Sequence, residues 1–202
     1  MYKRLLTYPE SSSFFLFGPR GTGKTSWTRT QFPKALFFDL LFMETYLEFL
    51  QNPSVLEEKI PNNFTDWIVI DEIQKIPELL NEVHRLIELK RYRFILTGSS
   101  ACSLRRKGTN LLAGRALSYK IFPLTAAELG ADFHLKESVL SGHLPTVYEN
   151  KSVAEEYLQS YIGTYLREEV LQEGLTRNLS GFAKFLEAVY CHRLLQHKFA
   201  LK

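Results

Sequence analysis

The chain has 202 residues, 45% of them hydrophobic and 23% charged, the balance of a soluble globular protein long enough to bury a core. A formal net charge of +3 is too weak to argue for nucleic acid by itself. Cys102 and Cys191 fit neither a disulfide framework nor a metal spacing, and no apolar run approaches the roughly 20 residues of a membrane span. The opening MYKRLLTYPESSS lacks the continuous apolar centre of a secretory signal. A cytoplasmic protein in a reducing compartment, without a membrane partner, is the expectation.

Apolar runs rich in strand formers recur along the chain. SFFLFG (13–18) is the first and KALFFDL (34–40) the second, followed by DWIVID (66–71), YRFILT (92–97) and ALSYKIF (116–122). Helical segments are expected between them. In PELLNEVHRLIEL, Pro77 suits a first turn, and Leu79, Leu80, Val83, Leu86 and Ile87 form one stripe. Such alternation predicts an α/β fold, a parallel sheet with helices on both faces. After Pro123 the pattern changes. TAAE (125–128) reads as a capping box opening a short helix, and SVAE (152–155) as one opening a longer helix. The longer one carries Val153, Tyr157, Leu158, Tyr161, Ile162, Tyr165 and Leu166 at helical spacing, read as a core stripe. A third helix is expected around Phe182, Phe185, Leu186 and Val189. The division expected is a sheet domain over 1–130 and a helical region over 131–202.

The first strand runs into GPRGTGKT, Gly18 to Thr25, a complete G-x-x-x-x-G-K-[ST] phosphate loop. Glycines let successive N–H groups turn inward on phosphate oxygens, and the helix that follows adds the positive end of its dipole. The expected nucleotide-binding set is Gly18, Pro19, Arg20, Gly21, Thr22, Gly23, Lys24, Thr25 and Ser26. Within it, Lys24 neutralises the β- and γ-phosphates and the Thr25 hydroxyl ligates Mg²⁺, while the Arg20 side chain faces solvent.

The third strand ends in the adjacent carboxylates Asp71 and Glu72. Two like charges there are costly without a cation. Asp71 is the expected magnesium-side acid and Glu72 the expected base for an attacking water. A water-activating carboxylate suits hydrolysis more than phosphotransfer. The chain has no Asn-Lys-x-Asp guanine reader, NKSV at 150–153 lacking the aspartate, so ATP is expected rather than GTP. At the tip of the fourth strand Thr97, and after it Ser99, is placed to hydrogen-bond the γ-phosphate or the water, or simply to make a turn. A transition-state arginine is expected from Arg115, ahead of Arg105 and Arg106, acting within the subunit or on a neighbour's site. Between Arg85 and Lys107 stand seven Lys/Arg against Glu88 alone. That cluster reads first as a solvated face and second as a phosphate or partner surface.

FLFGPRGTGKT, WIVIDEIQKIPELLNEVHRLIE, RFILTGSSA, NLLAGRA and FPLTAAEL, in that order, resemble a family of largely uncharacterised bacterial and archaeal AAA-like P-loop ATP-binding proteins. The resemblance implies a RecA-like sheet in the order 5-1-4-3-2, ATP and Mg²⁺ as ligands, and an intracellular ATPase. It implies phosphate and metal roles for Lys24 and Thr25, metal and water roles for Asp71 and Glu72, and a sensor role for Thr97, with Arg115 carried over less securely. LPTVYE, YLQSYIGTYLREEV and RNLSGFAKFLEAV extend the likeness into a helical stretch that leads, in family members, to a winged-helix segment. Here YCHRLLQHKFALK follows instead, as in a shortened member. The function expected is hydrolysis of ATP to ADP and phosphate coupled to an unknown protein client, in a homo-oligomer with the arginine in trans. The alternatives are a slow nucleotide-dependent switch, a nucleic-acid-associated regulator and a small-molecule phosphotransferase.

Overall fold

The computed structural model describes residues 2–99 and 114–164, with Ala101, Leu104, Leu112, Asn178, residues 180–185 and Ala188. It forms two compact units, one ending at Ala154 and the other beginning at Glu155.

In the first unit five strands alternate with helices: β1 (Ser13–Phe17), α1 (Lys24–Gln31), β2 (Leu36–Asp39), α2 (Met43–Gln51), α3 (Val55–Glu58), β3 (Trp67–Asp71), α4 (Leu79–Lys90), β4 (Arg93–Gly98) and β5 (Ala116–Lys120). The sheet order is β2-β3-β4-β1-β5, and every pairing is parallel. This is the RecA-like order expected, read from the other edge. The two-residue period of a strand explains how β1 is buried along its whole length. Phe14 and Leu16 point to one face, among Trp27, Phe32, Trp67, Val69 and Ile95. Phe15 and Phe17 point to the other, among Phe38, Phe49, Ile68, Ile70, Leu79, Val83, Leu86 and Phe94. Central strands covered on both faces must be apolar throughout, which is why these runs carry no alternation. The stripe of α4 buries Leu79, Leu80, Val83 and Leu86.

After β5 come α5 (Ala126–Leu129), α6 (Leu135–Ser141) and α7 (Pro145–Glu149). The expected capping box at α5 is complete: Glu128 N donates to Thr125 Oγ1 at 3.2 Å and Thr125 N donates to Glu128 Oε2 at 2.9 Å. Leu124, Leu129 and Tyr148 close a small third cluster.

The first unit ends in a 3₁₀ turn at Lys151–Val153, which contains Ser152, and in Ala154, the first residue of α8 (Ala154–Thr164), whose other residues belong to the second unit. The core reading of its aromatic stripe does not hold for the described part. No residue of α8 is buried, and Val153 just before it and Ile162 within it are exposed. Helical spacing establishes that a face is apolar, not that something covers it. Residues 180–185 are helical as expected, with Phe182 and Phe185 stacked at 6.2 Å. Tyr165, Leu166, Leu186 and Val189 lie outside the described residues.

Candidate nucleotide-phosphate site

All strands being parallel, β1, β3 and β4 end at the same edge of the sheet, and the site forms there. The loop from Gly18 to Gly23 connects β1 to α1. Gly23, at the N-cap of α1, has φ 84, a conformation costing a side-chain-bearing residue about 1–2 kcal/mol. That turn puts Lys24 at the first helical position with its side chain under the loop. The ammonium donates to Gly18 O at 2.7 Å and Pro19 O at 3.2 Å, so the loop's own carbonyls hold the cation within it. Thr22 is buried, its hydroxyl closing the loop onto Pro19 O at 2.8 Å. Arg20 and Ser26 are exposed.

Asp71 is 1% exposed, and both of its oxygens accept from hydroxyls. Thr25 Oγ1 donates to Oδ2 at 2.6 Å, and Thr97 Oγ1 donates to Oδ1. No cationic side chain among the described residues pairs with it. A buried carboxylate beside a threonine hydroxyl, with no cation of its own, is a hard-oxygen donor set that fits Mg²⁺. Thr97 is buried and also accepts from the Glu72 backbone N–H at 3.2 Å. It therefore joins the two acids instead of making a free turn, and its proton is engaged by Asp71.

Glu72 leaves the strand at φ 62, ψ 43. This left-handed step rotates its side chain out of the alternation that would have sent it opposite to Asp71. Its carboxylate then accepts from Gln74 Nε2 across the 3₁₀ turn Ile73–Lys75.

A family model described as an AAA domain matches residues 10–130, more than half of the chain. The chain belongs to this AAA family. At family level it is a nucleotide-binding AAA ATPase domain. No curated protein sequence matches it significantly. Solved structures similar to it include the Aeropyrum pernix ORC1 protein in complex with DNA, at 20% identity over 61% of this chain and 42% of that one, TM-score 0.40. Drosophila ORC bound to DNA is similar at 18% identity over 92% and 63%, TM-score 0.39. NtrX from Brucella abortus is similar at 15% identity over 66% and 35%, TM-score 0.39. The AAA chain thus spans less than two thirds of each of these proteins, and likenesses this distant say nothing of its function.

The arginines fall elsewhere. Arg115 immediately precedes β5, whose first residue pairs with Ser13, while the phosphate loop lies beyond Phe17 at the other end of β1. At about 3.3 Å per strand residue that is roughly 20 Å along the sheet. Its guanidinium meets Glu88 of α4 in an exposed ion pair. An action of Arg115 on its own subunit's phosphates is therefore not supported by its position. Arg105 and Arg106 lie outside the described residues.

The described part of the basic cluster is largely balanced within the AAA domain. Arg85 pairs with Glu82 and Glu57, and Lys90 with Glu57 at 3.2 Å. Hydrogen bonds from Arg85 and then Lys90 hold the Glu57 carboxyl below its usual range. Arg93 binds the carbonyls of Glu10 and Thr65 and lies over the Trp67 ring at 4.9 Å.

Sequence reasoning missed Arg4. Its side chain, 6% exposed, donates to Thr22 O in the phosphate loop at 3.3 Å and to Phe122 O, and faces Glu128 Oε1 at 3.1 Å. Burial raises the Glu128 carboxyl, but the backbone N–H groups of Thr125 and Leu5 and the charge of Arg4 together bring it below the ordinary value. An arginine beside Lys3 in a short stretch with Tyr2, Leu5, Leu6 and Tyr8 was the available signal. Tyr2 donates to Asp132 at 2.8 Å, and this bond pushes the phenol up to about 12.

Proposed function

We propose that this AAA domain binds ATP with Mg²⁺ and hydrolyses it to ADP and phosphate, driving an unidentified protein client. The observation that carries the reading is the meeting of Thr25 and Asp71 at 2.6 Å beside the loop that seats Lys24. In this reading Gly18–Ser26 wrap the phosphates, and Lys24 exchanges its two loop carbonyls for β- and γ-oxygens. Thr25 and Asp71 hold Mg²⁺, which when bound neutralises charge on the phosphates. Glu72 takes a proton from water as the water oxygen bonds to the γ-phosphorus. The bond from that phosphorus to the bridging oxygen breaks, and ADP leaves with the electron pair. Thr97 keeps the two acids in register through its paired hydrogen bonds.

The remote placement of Arg115 supports an arginine supplied by a second copy, hence an oligomer. A slow switch is the second reading, favoured by the fact that Lys24 and Thr97 are both satisfied within the protein. The internal pairing of Arg85 and Lys90 gives a nucleic-acid role little support. We also place the ATPase core at 1–130, the helical region at 131–202, and the protein in the cytoplasm.

The test is Mg²⁺-dependent phosphate release measured over a range of protein concentrations, with Lys24→Ala and Glu72→Gln alongside. Turnover per chain that rises with concentration and vanishes in both variants supports an assembling hydrolase. ATP binding with negligible turnover at every concentration sinks the hydrolase in favour of the switch.

A further inference from the structure

The phosphate loop rests at both ends on the segment that follows β5. At its start, Gly18 lies so close to this segment that an added Cβ would meet the Ile121 carbonyl oxygen at 2.2 Å. Near its end, Arg4 Nη1 donates to Thr22 O at 3.3 Å while Nη2 donates to Phe122 O. The guanidinium is itself held. Its Nε stands 3.1 Å from Glu128 Oε1, an ion pair without hydrogen-bond alignment between two nearly buried side chains. The Glu128 carboxylate in turn accepts from the backbone N–H groups of Leu5 and Thr125, each at 2.9 Å.

The peptide that Arg4 grips is one the sequence leaves free to turn over. It joins Thr22 to Gly23, and a glycine after a peptide bond lets that unit flip at little cost, because φ of either sign is open to it. In a planar trans peptide the C=O and the N–H point in opposite directions, and the described residues contain no cis bond. The two orientations therefore show different groups to a phosphate: an N–H that attracts it, or a carbonyl oxygen that repels it. At this point α1 begins, with no side-chain cap on its N-terminus, so backbone N–H groups are what it offers an anion.

We propose that Arg4 is a positioning residue for phosphate binding: by holding the Thr22 carbonyl away from the interior of the loop, it presents the Gly23 N–H to the phosphates of the nucleotide. This rests on the nucleotide-binding reading of the loop and is independent of hydrolysis. Arg4 acts through the backbone and touches no phosphate. Lysine is only a partial substitute, because a single ammonium lacks the fork that spans Thr22 O and Phe122 O.

The full chain is titrated by calorimetry with Mg-ATP and with magnesium tripolyphosphate, well below its unfolding temperature. Arg4→Met is combined with Glu128→Gln so that no buried carboxylate is left unpaired. The double variant should bind both ligands about 10- to 100-fold more weakly, the loss of one charged hydrogen bond that selects the competent orientation. Arg4→Lys should recover part of that loss. Glu128→Gln alone keeps both guanidinium bonds to carbonyls and should bind within about threefold of the parent, although it is less stable. Nuclear magnetic resonance of protein labelled with isotopic nitrogen at glycine supplies a direct signature. The Gly23 amide signal should be single in the parent, and split or broadened in the double variant before any ligand is added. Unchanged affinity in the double variant overturns the proposal. Equal weakening in Glu128→Gln and the double variant also overturns it, leaving a structural role. A loss confined to ATP, with tripolyphosphate unaffected, overturns it by placing Arg4 on the nucleoside side. A parent chain that binds neither ligand overturns the nucleotide-binding reading itself, and this inference with it.

Discussion

Asp71→Asn should stabilise the protein without nucleotide and abolish its stabilisation by Mg-ATP. A carboxylate that is 1% exposed loses several kcal/mol of hydration. Its two hydroxyl donors, Thr25 and Thr97, return about 1.5–3 kcal/mol each. Together the two bonds return about 3–6 kcal/mol, so a residue of about 1–2 kcal/mol remains when burial costs slightly more than they return, and the experiment measures that balance. Asparagine has the same shape and no charge. Its oxygen accepts from one threonine, and its amide donates to the other once that hydroxyl rotates. The expected gain is about 1–2 kcal/mol, or about 2–8 °C in a chain of this size. Mg-ATP at 100 times its dissociation constant should add about 2.7 kcal/mol to the unmodified protein and little to the variant. Thermal unfolding with a chelator, then with Mg-ATP, would show the two proteins exchanging rank. A variant less stable than the parent by over about 1 kcal/mol in chelator would refute the reasoning, since the hydroxyl bonds would then outweigh burial.

Lys24→Ala should weaken ATP binding about 10- to 100-fold or more, the loss of charge-assisted contacts to phosphate, and titration calorimetry reads this directly. Glu128→Gln leaves Arg4 buried and unpaired, so the urea midpoint at neutral pH should fall by an amount equivalent to about 3 kcal/mol. The pH dependence has a definite sign. Because the folded Glu128 carboxyl titrates below 4.5, its contribution is complete above that value and is lost as pH falls through the folded value. Urea unfolding between pH 6 and pH 3, values chosen to bracket that range, should weaken more steeply in the parent than in Glu128→Gln; parallel curves would contradict it. Arg115→Ala removes an exposed pair and should change stability by less than about 1 kcal/mol. If a second copy supplies this arginine, the same variant loses the concentration-dependent part of phosphate release.

The centre of the sheet was legible because β1, β3 and β4 are buried on both faces, and a strand so placed is written largely in Phe, Ile, Leu and Val. The phosphate loop was legible because phosphate binding by backbone N–H groups needs glycines at fixed intervals. Contacts that join distant parts of the chain were not. Arg4 reaches Phe122 and Glu128 across more than a hundred residues, and no local pattern encodes a partner that far away. Arg115 shows the opposite failure. Its place before a strand was readable, but the end of the sheet at which it stands follows only from β5 running parallel to β1. The stripe of α8 was readable as apolar, yet its exposure depends on what packs against it.

The adjacent acids that looked costly in sequence are separated by one backbone step. Had β3 continued through residue 72, alternation would have placed Glu72 on the opposite face from Asp71, away from a shared substrate. Had both turned toward the loop, two carboxylates would have repelled one another and competed for one metal. The left-handed conformation at Glu72 avoids both outcomes, at a strain of about 1–3 kcal/mol. Asp71 stays in line with the strand and meets Thr25, while Glu72 turns with the 3₁₀ segment and meets Gln74. Thr97 bridges them, accepting from the Glu72 amide and donating to Asp71, so that movement of either acid is felt by the other. Strain confined to this one residue, with hydrogen bonds on both sides of it, is what a site needs in order to give two neighbouring carboxylates different work. Glu72→Gly should therefore relax the turn and raise stability while removing the base. A Glu72→Gly protein no more stable than Glu72→Ala would mean that the left-handed step carries no strain.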